Sequence, residues 1–87
     1  MPGFLGMDIE QVRQVSKQVE QEAQKLQTDI QNIGSKILAA NWKGPDRERF
    51  VGDWNQQKGQ VIKVCSMLLD TSKKMAKNAQ EQDVASH

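Results

Sequence analysis

An all-α fold, two long helices folded back on each other as an antiparallel hairpin, is what this sequence predicts. Three observations carry that prediction. Apolar residues recur at 3-4 spacing from Ile9 to Ala40, the same spacing returns after Pro45, and the tripeptide Trp42-Lys43-Gly44 lies between the two halves. The expected elements are a helix over about 8–40, a turn over about 41–45 and a helix over about 46–82. Together they form a single domain over 1–87, with flexible ends at about 1–6 and 83–87.

In the first half, no proline falls between Met7 and Ala40, and Gly34 is the only glycine. Asp8 is placed to cap the helix, with Gln11 three residues on as a loose capping box. Ile9, Ser16, Ala23, Ile30 and Ile37 form one heptad column, and Val12, Val19, Leu26 and Ile33 form the other. Ser16 alone interrupts the apolar run. The remaining positions are nearly all Gln, Lys, Glu, Arg, Asp and Thr, with Val15 and Leu38 as exceptions, so the stripe is narrow. The β-branched residues favour strand mildly, but some thirty residues of helical spacing outweigh that.

The turn has consistent chemistry. Asn41 can adopt the left-handed conformation that ends many helices. Gly44 frees the chain to reverse. Pro45 suits the first position of a helix, where its missing N–H is not needed. Asp46 and Glu48 then put negative charge in the first turn, at the positive end of the helix dipole. The Trp42 ring can plug the open end against Phe50 or Ile37, or stand exposed as a contact for another protein; at a turn both roles are compatible.

The second half repeats the spacing with more apolar positions. Trp54, Val61, Leu68 and Met75 form one column, Phe50, Gln57, Val64 and Thr71 a second, and Val51, Cys65, Ser72 and Ala79 a third. Ile62, Leu69 and Ala76 make a further column to one side, beside Gly52 and Gly59. This arc is wider than the stripe on helix one, and a two-helix hairpin covers one seam per helix. The surplus predicts a second hairpin packed against the first, giving a four-helix bundle, with Val61, Ile62, Cys65, Leu68, Leu69 and Ala76 at the chain–chain interface. After Asn78 the residues become small and polar, which predicts a fraying end.

Composition excludes several classes. The chain carries 12 basic and 11 acidic residues, a net charge of +1, without the basic block that tracks phosphates, so no nucleic-acid partner is expected. No apolar run approaches the roughly 20 residues that span a bilayer. Met1–Met7 has neither a basic start nor an apolar stretch of signal-peptide length. The lone Cys65 has no histidine to activate it, and His87, the one histidine, is the last residue and reads as terminal or as the remnant of a tag. No metal, cofactor or catalytic constellation is expected, and the chain is read as not an enzyme.

These residues resemble the WXG family, the ESAT-like small proteins of bacterial type VII secretion. The resemblance rests on Trp42-Lys43-Gly44 at the centre, on two amphipathic helices of similar length, and on the aromatic pair Phe50 and Trp54 soon after the turn. The tail Asn78-Ala79-Gln80-Glu81-Gln82, then Ala85-Ser86, is also similar. It covers essentially the whole chain. The resemblance implies hairpins that pair antiparallel, as homodimers or heterodimers, and leave the cell folded without a cleaved signal peptide. It also implies an export signal built from the tryptophan turn of one subunit and the tail of the other, read by a membrane-associated ATPase. Here Trp42 and Gly44 would carry the turn.

One feature departs from the family. Members with the tail signal have a tyrosine four places before an acidic residue, whereas this chain has no tyrosine; Lys77 precedes Glu81 and Ala79 precedes Asp83. A signal on the partner chain, a shortened tail, or a member that is not itself exported each fits. The expectation is export dependent on a partner that bears the motif. The function that follows is a non-enzymatic type VII secretion substrate, or a carrier for a larger one, acting as a dimeric hairpin with a cytoplasmic pool before export. Its expected partners are a related hairpin, a secretion ATPase or a larger secreted protein. The alternative is a cytoplasmic coiled-coil adaptor or regulatory module unrelated to export.

Overall fold

In a computed structural model of the chain, which describes residues 8–85, helix α1 spans Ile9–Ala39 and helix α2 spans Pro45–Ala85. No strand occurs among the described residues. The helices run antiparallel as a hairpin 65 Å long and 16 Å across, two helices wide with no third layer. The expectations for residues 1–6 and for His87 lie outside the described residues.

Asp8 caps α1 as its position predicts, accepting from the Gln11 backbone N–H at 3.1 Å. The exit from α1 differs from expectation. No residue other than glycine has positive φ among the described residues, so Asn41 is not left-handed. The helix ends at Ala39, and Ala40 leaves it in an extended conformation with its N–H on the Ile37 carbonyl. The reversal is made at Gly44, whose φ of 119° no side chain adopts easily. With glycine taking the strained position, Asn41 has no need to. Pro45 opens α2, and the Gly44 carbonyl accepts from the Glu48 N–H to close its first turn.

The seam between the helices is built from small residues. Ser16, Ala23, Ile30 and Gly34 of α1 are buried, and so are Cys65, Ser72 and Ala79 of α2. Cys65 and Ser72 are the largest fully buried side chains. Small side chains let two helices approach closely, and the distance between helix axes follows the residues at the contact. The consequence is that, Ile30 apart, the large apolar residues do not fit fully between the helices. They are displaced to the flanks, where they are half-buried or exposed.

α2 continues through Ala85, past the expected end near 82. Two features hold this final stretch. Ala79 is completely buried in the seam, and Arg13 of α1 reaches across to the Gln80 amide oxygen at 2.9 Å and the Asp83 carboxylate at 3.1 Å. This largely polar stretch stays helical because Ala79 and Asp83 both meet the neighbouring helix.

Candidate functional site

Two places on the hairpin present side chains outward: the turn, and the flanks of the seam. At the turn, the Trp42 ring packs on Phe50 with centroids 5.6 Å apart and planes tilted by 53°. A tilted pair at this separation is a favourable aromatic geometry. Both rings nevertheless stay open, Trp42 at 42% and Phe50 at 46% exposure. The indole thus does both things allowed for it: it leans on Phe50 and it faces solvent. Beside it, Leu38, Asn41, Gly44, Arg47 and Glu48 line a shallow hollow of ≈ 350 Å³. Arg47 lies near Glu48 at 3.9 Å, and Arg49 pairs with Asp46 at 2.8 Å, so the charges around the turn are largely matched.

The flanks follow from helical geometry. Val61 and Leu68 stand four before and three after Cys65, on one side of the seam; Ile62 and Leu69 stand three before and four after, on the other. Leu26 and Ile30 of α1 join Gln60, Val61 and Val64 of α2 around an open, largely apolar groove of ≈ 520 Å³. An adjoining hollow is lined by Ala23, Leu26 and Leu68 with Glu22, Lys25 and Asp29 at its rim. There Lys25 donates to Asp29 at 3.1 Å, and that hydrogen bond with the carboxylate charge raises the ammonium pKa. Ile33, one heptad on from Leu26, extends this flank at 43% exposure, and Val64 stands 50% exposed.

This changes the reading of the apolar surplus in two ways. Helix one is not used up by the hairpin: Val15, Ile33 and Leu38 are exposed on it. An apolar flank is also shared between the helices, through Leu26, Ile33, Val61, Val64 and Leu68, beside the Ile62, Leu69 and Ala76 column. The physical reason is the seam, built mostly of small residues, which leaves room for Ile30 but turns most large side chains of both helices to the flanks. Cys65, grouped by sequence with the outer face, is fully buried inside the hairpin. Leu69 is half-buried, while Ile62 and Ala76 are exposed, on the opposite flank.

Sequence reasoning missed the partner of Gly34. A Cβ placed on this buried glycine would lie 3.2 Å from Nε1 of Trp54. Gly34 is therefore what admits the Trp54 indole against α1. A glycine inside the last turns of α1, level with a tryptophan on the returning helix, was the available signal. Among the described residues, no group of three or more His, Cys, Asp or Glu could hold a metal ion, and no helix is long and apolar enough to cross a membrane.

Comparison with known proteins agrees with this geometry. The chain is 26% identical over 92 residues to Protein YukE of Bacillus subtilis (strain 168), covering 98% of this chain and 95% of that one. No solved structure matches. The family described as "Proteins of 100 residues with WXG" matches residues 5–83, the hairpin with its turn at Trp42-Lys43-Gly44, and the chain belongs to this WXG100 family of ESAT-like, secretion-associated proteins.

Proposed function

We propose that this chain is a non-enzymatic substrate or carrier of a type VII secretion system, working as a folded hairpin paired with a second hairpin. The observation that carries the pairing is the flank of Leu26, Ile33, Val61, Val64 and Leu68. On this flank Leu26, Ile30, Val61 and Val64 line an open, largely apolar groove of ≈ 520 Å³ that a second hairpin laid alongside would cover. Burying apolar area there yields about 25 cal/mol per Å², which a thin core of Ala, Ser, Cys and a single Ile supplies only in small measure. The partner is a second copy or a related hairpin, and the product is a four-helix bundle.

Export is supported by family membership together with the turn. Trp42 and Gly44 form an open-faced corner at one end of the rod, where an exposed indole resting on Phe50 suits recognition by another protein. Because this chain has no tyrosine, we infer that the tail half of the signal is borne by a partner, and that the paired assembly, drawn from a cytoplasmic pool, is what a membrane-associated ATPase or a larger secreted protein engages. The open grooves of a two-helix rod favour protein contact over enclosure of a substrate. The test is Trp42→Ala in the secreting cell: helicity is retained and export falls, whereas undiminished export of a folded variant overturns the role given to the turn.

A further inference from the structure

The flank opposite the apolar groove carries a cleft of ≈ 210 Å³ near the turn end, lined by Gln31, Gly34, Ser35, Leu38, Trp54, Asn55 and Lys58. Its chemistry is one-sided. Lys58 lies in the heptad column of Val51, Cys65, Ser72 and Ala79, the seam column, and is half-buried. A lysine there lays its aliphatic stem along the seam and carries its ammonium to the edge. No carboxylate lines the cleft, and Lys58 has no ion pair among the described residues. Trp54 Nε1 sits over Gly34 and makes no hydrogen bond among the described residues. No buried side-chain nitrogen or oxygen is without a partner among the described residues, so this nitrogen, on a residue that lines the cleft, is not fully sealed from solvent. Asn55 and Gln31 add amide donors beside it.

An ammonium, an indole N–H and side-chain amides around one small cleft match a carboxylate, which accepts several charge-assisted hydrogen bonds. We infer that this cleft binds the carboxylate of an acidic side chain presented by another polypeptide. The cleft is too open to bury most of a free acid, as small-molecule sites do. A carboxylate held on a helix or extended segment that rests against the flank needs no such enclosure. The surface lies away from the Leu26–Val64 groove, so it stays available when that groove is covered.

The test uses the ¹⁵N-labelled chain, in which the two indole N–H signals report the cleft (Trp54) and the turn (Trp42), assigned with Trp42→Phe. The probe is a short alanine-rich helical peptide with one glutamate, compared with its glutamine counterpart and with acetate. The glutamate peptide shifts the Trp54 indole and the Asn55 and Lys58 amides saturably and leaves Trp42 in place. The glutamine peptide does not, and acetate binds more weakly. Lys58→Gln reduces the affinity about tenfold or more, as loss of a charge-assisted bond requires, and Lys58→Arg keeps most of it. An unmoved Trp54 signal, an equal response to the glutamine peptide, acetate binding as tightly as the peptide, or a folded Lys58→Gln chain with unchanged affinity each overturns the assignment.

Discussion

The hydroxyl of Ser16 on α1 donates to the backbone carbonyl of Ser72 on α2 at 2.7 Å, buried within the seam. Ser72 in turn donates its own hydroxyl to the Leu69 carbonyl at 2.7 Å. The residue that breaks the apolar heptad is thus a cross-link between the helices, at a point where both side chains are small enough for the backbones to come close.

Ser16→Ala removes that bond without adding volume and leaves a smaller side chain in a tight place. The expected loss is about 1 kcal/mol in urea unfolding at fixed protein concentration. Ser16→Leu restores the heptad on paper but overfills the seam, and the expected loss is larger, about 1–3 kcal/mol. A conventional leucine-type seam gives the reverse order, with Ser16→Leu the more stable variant.

The glycines separate by environment. Gly34 faces the Trp54 indole, so Gly34→Leu must expel the ring. In a Trp42→Phe background the Trp54 emission shifts to the red, and stability falls by about 1–3 kcal/mol. A Cβ on Gly52 or Gly59 meets nothing within 4 Å. There Gly→Ala recovers helix propensity, and each substitution raises stability by about 0.5–1 kcal/mol. Thermal unfolding monitored by circular dichroism distinguishes the two classes.

Arg13 holds the last turns of α2 through Gln80 and Asp83, with both charged side chains about one-third exposed. A pair this open contributes only about 0–1 kcal/mol to global stability, but its effect is local. In Arg13→Ala, amide exchange over residues 80–85 accelerates while exchange around Cys65 is unchanged. Uniform acceleration along α2 contradicts the latch.

Much of the fold is legible in the sequence, and the reasons are local. The 3-4 spacing from Ile9 and again from Phe50, the Asp8 cap and the Gly44-Pro45 junction all act through near neighbours. What periodicity does not reveal is which columns meet. Apolar columns on α2 occupy both sides of Cys65, and only the closeness of approach selects the small one, Cys65–Ser72–Ala79, for the seam. That choice puts Cys65 inside, moves Val61 and Val64 outward beside Leu26, and leaves Ile62 on the opposite flank. Gly34 with Trp54, and Arg13 with Asp83, depend on the same register between distant residues. At the turn, Trp42 and Gly44 are legible because the chemistry is contiguous; the conformation of Asn41 is not, since glycine supplies an easier route.

The most direct test of pairing through the shared flank is light scattering of the purified chain alongside its helicity, for wild type and for Val64→Glu. Val64 is half-exposed within one hairpin, so a charge there is tolerated by a lone chain but not in a covered apolar face. Pairing predicts that wild-type chains, alone or with a related hairpin, gain mass and helicity together, and that Val64→Glu loses both. A stable, fully helical wild-type monomer at micromolar concentration, indistinguishable from Val64→Glu, contradicts it.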